Sequence, residues 1–451
     1  MFSLTLLIAK LLGVIGNKKK EINASLHVLQ KRLGGSFLVI KHLMIMDKTL
    51  IFLVTFCFSG SFLIAQTVNS GKLYVSPNTE FSTLSNLKNT DTGSLFNDGT
   101  LFCYANFYNN GEVDHYEANA QVQFVGFDAQ LISGEGDTFF SNILFKNKTY
   151  PVPFLLQADI NIEGEVDFNN GIIDNRNYGG SFLFGETARY KNASNISYVD
   201  GSVEKIGNTE FEFPIGHQGY YRTLAISDAQ AINPLYKATY FLENPDTQYP
   251  LLSKADVINT INNAEYWKLE PVGTHSEVVV TLSWNEATTS DLMLQNTEAL
   301  HIVRWDEEQQ LWVDEGGVVD EWNKSVSAVV SNKGIFTLAI VETDDILPCE
   351  LVVYNAITPN KDGKNDYFLI DQLNNGGCAQ NISVKIFNRW SRKVFETTNY
   401  GLAGRVFDGH SNKGDQLPAG TYFYVLEFEY ETEKGDRKPF QKQGYLYLNG
   451  N

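Results

Sequence analysis

Three acidic side chains alternate along one stretch of the chain, at Glu163, Glu165 and Asp167. Alternate residues of a strand point to the same face, so this spacing predicts a row of carboxylates. Such a row could bind Ca²⁺ or carry out acid–base chemistry on a polysaccharide. The nearby cations that could assist a lyase-type reaction are Arg176, Arg189 and Lys191. We favour a simpler interpretation, in which the row is the solvated outer face of an acidic protein.

A second group of oxygen-bearing side chains surrounds Gly363 near the C-terminus. Its members are Asn360, Asp362, Asn365 and Asp366. Ca²⁺ prefers clustered carboxylate and carbonyl oxygens around a glycine turn, which makes Asn360, Asp362 and Asp366 candidate calcium ligands. The spacing lacks the terminal Glu of an EF-hand loop. We therefore favour a turn that Asn and Asp side chains stabilise, and we predict no other cofactor.

Aromatic residues offer another binding chemistry. Five of the six tryptophans lie between Trp267 and Trp322, where they could present platforms for sugars. Tryptophans on strands are more often part of the core, although Trp312 and Trp322 flank acidic turns that would expose them. The histidines beyond residue 66 are far apart in sequence, at His115, His217, His275, His301 and His410. The chain has no HExxH, GxSxG, P-loop or paired CxxC motif, so we predict no catalytic residue.

The elements that must position these residues are predicted to be strands. Apolar and polar residues alternate at 120–124, 159–163 and 165–168, which is the period of a half-buried strand. Turns rich in Asn and Gly follow at 109–111, 169–171 and 200–201. Strands and turns at intervals of about one rung predict a short right-handed β-helix over residues 67–205. A meandering β-sandwich is the competing interpretation, because the glycine intervals are irregular.

From residue 206 the pattern changes to longer apolar strands rich in tryptophan. Their spacing predicts a β-sandwich over residues 206–345. The segment 213–222, which reads FPIGHQGYYR, predicts a tight turn between the two regions. The acidic pair at 344–345 and Pro348 mark the end of the second region. We therefore predict an all-β protein.

Net charge narrows the classes of function. The chain carries 53 Asp and Glu against 35 Lys and Arg, for a net charge of −18. Residues 67–345 alone carry a net −24, whereas residues 346–451 are neutral and residues 1–48 carry +6. A protein this acidic lacks the basic footprint that nucleic-acid binding requires. We expect no nucleic-acid partner.

The N-terminal region contains a secretion signal. Residues 49–66 carry no charge and follow Lys48, and 50–63 is a continuous apolar run. This is the pattern of a signal peptide, and it is shorter than the ~20 apolar residues of a comfortable membrane span. We assign residues 46–66 to the signal, with translation starting at Met46 and residues 1–45 an over-extended gene model. The alternative is a genuine N-terminal segment with its own apolar stretch at 2–15. The mature chain is predicted to have no transmembrane helix.

The C-terminal region carries a series of motifs in order. They read TPNKDGKND at 358–366, IFNRWS at 386–391, VF and FDG at 394–395 and 407–409, LPAGTYFY at 417–424, and GYLYL at 444–448. With these motifs, residues 349–451 resemble the gliding motility-associated C-terminal domain, which is the type B sorting domain of type IX secretion. Lys361 and Ser391 replace two glycines of the family pattern. The matching positions are Pro359, Asn360, Asp362, Gly363, Asn365, Asp366, Asn388, Arg389, Trp390, Asp408, Gly409, Pro418, Gly420, Thr421, Tyr422 and Gly444.

The resemblance implies an Ig-like β-sandwich over residues 346–451 and export across the outer membrane by the type IX secretion machinery. Cys349 and Cys378 fall within this unit and could form a disulfide in an oxidising compartment. Cys103 is then a small buried apolar residue. We call residues 67–345 the passenger.

The sequence thus predicts a secreted or cell-surface protein that first reaches the periplasm by its signal peptide. Its passenger is expected to be non-catalytic and to act in adhesion, matrix contact or glycan contact. The alternative is a polysaccharide-acting enzyme, a lyase or hydrolase, built on the β-helix.

Overall fold

The computed structural model describes residues 66–229, 234–273, 277–330, 333–341, 348–371, 373, 378–388, 392–432 and 435–449. The predicted segment 1–45 and, except for Gln66, the predicted signal peptide 46–66 lie outside these residues. Within the described ranges, no helix is long and apolar enough to cross a membrane.

Residues 66–205 form a β-solenoid of about seven turns. Each coil contributes short strands whose apolar residues alternate inward, so that the period of two in the sequence becomes an inner and an outer face. The strands are β1 Gln66–Asn69, β2 Lys72–Val75, β3 Glu80–Thr83, β4 Asn86–Asn89, β5 Ser94–Asn97, β6 Thr100–Cys103, β7 Phe107–Asn109, β8 Glu112–Asp114, β9 Gln121–Phe124, β10 Gln130–Ser133, β11 Phe139–Phe140, β12 Asn142–Lys146, β13 Phe154–Leu156, β14 Ile160–Ile162, β15 Glu165–Asn170, β16 Ile173–Asp174, β17 Phe182–Phe184, β18 Arg189–Lys191, β19 Val199–Asp200 and β20 Ser202–Ile206.

The coils stack into parallel sheets. One sheet has the order β1-β4-β7-β10-β13-β16-β19 and a second the order β3-β6-β9-β12-β15-β18. The third face is formed by β2-β5-β8 and by β11-β14-β17-β20, with a parallel bridge between Val113 and Thr138. The predicted β-helix and the all-β class are therefore confirmed, and the meandering sandwich is wrong for this region.

Phenylalanine side chains fill the interior of the solenoid. Phe124 stacks on Phe145 at 5.6 Å between ring centroids, and Phe145 stacks on Phe168 at 6.3 Å. These three side chains are fully buried. Because full burial of a large apolar side chain stabilises the fold by about 1.5–3 kcal/mol, this aromatic column is a major source of stability.

One corner of the solenoid is held by a ladder of asparagine side chains. Asn69 Nδ2 donates to Asn89 Oδ1 at 2.8 Å, and Asn89 Nδ2 donates to Asn109 Oδ1 at 2.8 Å. Gly111 lies beside the ladder, where a Cβ would come within 2.1 Å of the carbonyl oxygen of Gly93. The corner therefore requires glycine for close packing of successive coils.

The solenoid continues directly into the second region. Its remaining strands are β21 Phe211–Phe213, β22 Ile215–His217, β23 Tyr220–Tyr221, β24 Leu224–Ile226, β25 Leu235–Phe241, β26 Ile258–Ile261, β27 Tyr266–Val272, β28 Val278–Ser283, β29 Leu300–Asp306, β30 Leu311–Gly316, β31 Val318–Asp320, β32 Ser325–Val330 and β33 Gly334–Val341. The short helices are α1 Asp291–Leu294 and the 3₁₀ turns Pro245–Thr247 and Thr297–Ala299.

Two antiparallel sheets make up most of this region, while β22 and β23 extend the first solenoid sheet beyond β19. The solenoid strand β20 pairs with β25, and the sheet runs on as β25-β27-β33-β29-β30 with β26 on β33. The other sheet has the order β21-β24-β28-β32-β31. Side chains from both sheets, such as Trp267 and Leu282, belong to one core with the solenoid. The hydrophobic core is thus continuous across residue 205.

The C-terminal strands build a separate core. After a 3₁₀ turn at Pro348–Glu350, they are β34 Val352–Val353, β35 Ala356–Ile357, β36 Ile370–Asp371, β37 Ala379–Phe387, β38 Lys393–Thr398, β39 Gly420–Glu431 and β40 Arg437–Leu448. Five of them form a sheet in the order β35-β40-β39-β37-β38, and β34 pairs with β36. Apolar side chains of both sheets share one cluster.

Candidate functional site

The predicted carboxylate row is only partly formed. Glu165 and Asp167 lie on β15 and project outward, since the alternate residues Val166 and Phe168 are buried. Glu163 instead lies in the bend between β14 and β15. The bend is fixed by a hydrogen bond from the amide of Gly164 to the carbonyl of Ser141 at 2.9 Å. The expectation that all three carboxylates share one strand face is therefore wrong.

Glu165 is held by two cations of the next coil. The parallel register of β15 and β18 pairs Glu165 with Arg189 and Asp167 with Lys191. Arg189 Nε lies 2.9 Å and Lys191 Nζ 2.5 Å from the Glu165 carboxylate. These hydrogen bonds, from Lys191 and then Arg189, lower the pKa of Glu165. Glu165 is thus held in its charged form. The third cation predicted for this site, Arg176, lies elsewhere, bound to Asp200 at 2.8 Å.

Four of the five tryptophans in the second region are buried. Trp267, Trp284, Trp305 and Trp312 belong to the core. Trp312 is covered because its ring packs on that of Trp305 at 5.7 Å and its indole N–H donates to the carbonyl of Tyr249. Trp322 alone of these five is exposed, at 93% of its surface. The predicted tryptophan platform therefore reduces to one side chain.

The described histidines are dispersed. His301 pairs with Asp314 at 2.9 Å and His410 with Asp408 at 3.0 Å. His217 accepts a hydrogen bond from the backbone of Leu242. In the described ranges, no group of three or more His, Cys, Asp or Glu side chains could hold a metal ion. Cys103 is a free, buried thiol whose pKa burial raises to about 12.

The loop at 358–366 is closed by its own side chains. The Asp366 carboxylate accepts from the amides of Lys361 at 2.5 Å and Gly363 at 2.8 Å. Asp362 accepts from the amide of Lys364, and Asn360 accepts from the amide of Asp362. Asn360, Asp362 and Asp366, the candidate calcium ligands, therefore form a network of side-chain-stabilised turns.

Left-handed backbone conformations explain the residue types of this loop. Gly363 has φ +87° and Asn365 has φ +52°. Glycine and asparagine are the residue types that adopt this conformation most readily. Lys361, which replaces a glycine of the family pattern, also has φ +63°. A non-glycine residue there is strained, and the two hydrogen bonds to Asp366 hold the turn in place.

Three of the predicted motifs meet in the fold. Gly409, at φ +83°, lies against Pro359: a Cβ on Gly409 would come within 3.2 Å of the proline ring. The carbonyl of Gly409 accepts from the amide of Leu417 at 2.9 Å. Leu417 is the first residue of the third motif, at 417–424. Tyr422 Oη donates to the carbonyl of Pro418 at 2.7 Å. Pro359, Asp408–Gly409 and Pro418 thus lie close together in the fold.

The closing strands pair a tyrosine with a glycine. Tyr424 of β39 lies opposite Gly444 of β40, and Gly420 lies opposite Leu448. A Cβ on Gly444 would come within 2.6 Å of Tyr424 Oη. The motif glycine therefore makes room for the buried tyrosine. Thr421, which follows Gly420 on β39, is exposed.

Other predicted positions are placed in part. Asn388 Oδ1 accepts from the amide of Arg392 at 2.9 Å, closing the turn before β38. Arg389 and Trp390 lie outside the described residues. Cys349 and Cys378 form a disulfide, with 5.7 Å between their Cα atoms.

A contact between the passenger and the C-terminal domain was not anticipated from the sequence. Gln443 donates to the carbonyl of Glu315 at 2.7 Å and accepts from the amide of Val329 at 2.9 Å. Lys385 pairs with Glu277 of the passenger at 2.8 Å. A cleft of about 620 Å³, lined in part by Val318 and Val352, lies beside this contact. No sequence signal identifies such a contact, because Gln443, Lys385 and Glu277 read as ordinary polar surface positions.

Comparison with known proteins identifies the C-terminal domain. No curated protein matches the chain. Residues 351–448 match the family model of the CHU_C type IX secretion signal domain. This match confirms the predicted sorting domain and supports export of a secreted or cell-surface protein through the type IX secretion machinery.

Proposed function

We propose that the chain is a type IX-secreted protein whose passenger acts without catalysis in adhesion, in matrix contact or in glycan contact. The signal domain at 351–448 supports delivery outside the cell. The signal peptide predicted at 46–66 would first carry the chain to the periplasm.

The filled interior of the solenoid is the observation that carries the contact role. Phe107, Phe124 and Phe145 are fully buried, and the aromatic column leaves the outer faces as the surface for a ligand. Large aromatic side chains are exposed on those faces, including Tyr74 and Tyr116. Exposed aromatic groups on a rigid scaffold are typical of binding surfaces.

The electrostatics of Glu165 favour this role over the alternative, a lyase or hydrolase on the β-helix. A glycosidase needs a carboxylic acid whose pKa is raised so that it can protonate the leaving group. The hydrogen bonds from Lys191 and Arg189 lower the pKa of Glu165 instead. A carboxylate that stays ionised is a poor proton donor, so Glu165 does not suit the role of the general acid.

Delivery is tested by deleting residues 349–451 in the producing cell and locating the remaining chain by fractionation and surface proteolysis. We expect the truncated chain to stay in the periplasm, while the full chain reaches the surface or the medium. Normal surface delivery of the truncated chain would overturn the proposal.

The passenger role is tested with the purified secreted protein and a panel of polysaccharides and matrix preparations. We expect retention on at least one of them, with no release of reducing ends and no unsaturated products. Sustained product release would establish the enzyme instead. Retention on none would remove the contact role.

A further inference from the structure

Two aromatic side chains project from neighbouring strands on one outer face of the solenoid. Tyr74 of β2 lies beside Phe96 of β5 in parallel register. The alternate residue Leu95 is fully buried, so the Phe96 ring faces outward. Neighbouring parallel strands are about 4.8 Å apart. The two rings therefore occupy successive rungs of the same face.

A third ring extends this surface. Tyr116 follows β8 and stacks on Phe96, with 4.9 Å between ring centroids and 6° between ring planes. Tyr116 is 72% exposed and Tyr74 is 52% exposed. Because one face of the Tyr116 ring rests on Phe96, its exposure leaves the other face open to solvent. We call Tyr74, Phe96 and Tyr116 the aromatic platform.

Asp98 holds the two tyrosines of the platform in place through hydrogen bonds. Its buried carboxylate accepts from Tyr74 Oη at 2.8 Å and from the amides of Tyr116 at 2.6 Å and Glu117 at 2.9 Å. Burial raises the pKa of Asp98, but the hydrogen bonds from Tyr116, Tyr74 and Glu117 outweigh it, and the pKa is lowered. A charged acceptor with three donors positions both tyrosines before any ligand arrives. Such preorganisation reduces the entropic cost of binding.

We propose that the aromatic platform binds the chain of a neutral polysaccharide, an inference that rests on the proposed glycan-contact role of the passenger. A pyranose ring presents C–H groups on its faces and hydroxyl groups at its edges. The C–H groups pack on the electron-rich face of an aromatic ring. The carboxylates beside the platform, on Asp114 and Glu117, are acceptors for the hydroxyl groups.

The charge around the platform selects a neutral ligand. Asp114 lies beside Phe96 in the register of β8, and Glu117 follows Tyr116. Glu112 and the cation Lys72 lie two residues away along β8 and β2, on either side of Ser94. Residues 67–345 carry a net charge of −24. An anionic polysaccharide would be repelled by this field. A neutral polysaccharide carries no charge and is not repelled by this field.

A folded protein partner fits this surface less well. A stable protein interface buries about 800 Å² on each partner and has a core depleted of charged residues. Here, acidic side chains adjoin the three rings. A single polysaccharide chain needs only a narrow strip of ring faces with acceptors at its edges.

The test uses the full secreted protein in affinity electrophoresis and in pull-down with cellulose, xylan, chitin and a β-1,3-glucan, with polygalacturonate as the anionic probe. The variants are Y116A, which removes the exposed ring, and Y116F, which keeps it. Y150A is the matched control, since Tyr150 is an exposed ring of the solenoid outside the aromatic platform. Thermal unfolding of each variant verifies that the fold is retained.

We expect at least one neutral polysaccharide to bind, with affinity reduced about tenfold in Y116A because a stacking contact is lost. Y116F and Y150A should bind as the wild type does. Wild-type affinity in Y116A overturns the platform but leaves the proposed contact role standing. Binding of polygalacturonate alone, or of no polysaccharide, also overturns the platform. In the last case, retention on a non-glycan matrix decides whether the wider contact role survives.

Discussion

Arg222 and Glu265 form a bidentate ion pair inside the protein. Arg222 Nε lies 3.0 Å from Glu265 Oε2, and Nη2 lies 3.0 Å from Oε1. Their side chains are 2% and 0% exposed. Tyr240 and Thr289 also donate hydroxyl hydrogen bonds to the Glu265 carboxylate, at 2.7 and 2.6 Å. Arg222 follows the β22–β23 hairpin, which extends the first solenoid sheet, and Glu265 precedes β27. The pair therefore links the end of the solenoid to the second region.

Replacing Glu265 by glutamine should destabilise the protein strongly. The E265Q substitution preserves shape but leaves the buried Arg222 guanidinium without its counter-charge. Loss of one partner of a buried pair costs about 3–5 kcal/mol. Urea unfolding of E265Q should therefore show a much lower midpoint. The control is E286Q, which removes a surface partner of Lys324 and should leave the midpoint unchanged. Equal midpoints for E265Q and the wild type would contradict the structural role of the pair.

The asparagine ladder makes a second prediction. Asn89 is fully buried, and its amide group also donates to the carbonyls of Gly93 at 3.1 Å and Glu112 at 3.0 Å. The N89A substitution leaves buried polar groups without partners, at about 1–3 kcal/mol for each. We expect a lowered free energy of unfolding in urea. The outward K88A on the same strand should stay within about 0.5 kcal/mol of the wild type. If N89A were no less stable than K88A, the ladder would not contribute to stability.

The ladder also shows how much of the solenoid the sequence could reveal. Alternating residues predicted the strands, and Asn-Gly turns predicted the corners. Asn69, Asn89 and Asn109 follow one another at 20 residues, a period that could have located the first coils. The next ladder partner, Thr138, lies 29 residues beyond Asn109. Corner loops of variable length thus hide the repeat, because they add residues without changing the stacked strands.

Candidate sites formed by neighbouring residues in the sequence could be predicted, whereas those formed by distant residues could not. The loop at 358–366 was predictable, because Asn, Asp and Gly enforce turn geometry locally. The aromatic platform was not, because the contact between Phe96 and Tyr116 depends on the stacking of successive coils. The burial of Trp312 could not be predicted either, since Tyr249 and Trp305 contact its ring only in the folded protein.

Lys205 should make stability depend on pH in the alkaline range. Its buried ammonium donates to the carbonyls of Gly185, Glu186 and Ile206 at 2.8, 2.7 and 2.6 Å. Burial lowers the pKa of Lys205 to about 8, from an ordinary value of 10.5. Between these values the unfolded chain binds more protons than the folded chain, so the free energy of unfolding rises with pH. This contribution is complete above pH 10.5 and is lost as the pH falls through about 8.

The K205M variant checks this dependence. Urea unfolding at pH 8, 9 and 10 should give a shallower rise in the free energy of unfolding than in the wild type, by up to about 1.4 kcal/mol per pH unit. Other titrating groups are common to both proteins and cancel in the comparison. Parallel pH profiles would show that Lys205 keeps its ordinary pKa in the fold.

The calcium candidates lead to a prediction about the 358–366 loop. Because backbone amides already occupy the Asp366 carboxylate, we expect Ca²⁺ to leave the melting temperature of the protein unchanged. The D366N substitution should lower stability by about 1 kcal/mol, since one of the two amides loses its acceptor. A saturable rise in melting temperature with Ca²⁺ in the wild type, absent in D366N, would instead establish a calcium site at Asn360, Asp362 and Asp366.

The pairing of Gly444 with Tyr424 links the fold of the signal domain to delivery. A side chain at residue 444 would collide with the Tyr424 ring, which packs on Phe368 at 4.9 Å in the domain core. We therefore expect G444V to unfold the signal domain and to accumulate in the periplasm, as measured by fractionation and surface proteolysis. The exposed K438A on the same strand should be delivered normally. If G444V reached the cell surface with its signal domain unfolded, the machinery would have to recognise a linear segment of 351–448 rather than its folded surface.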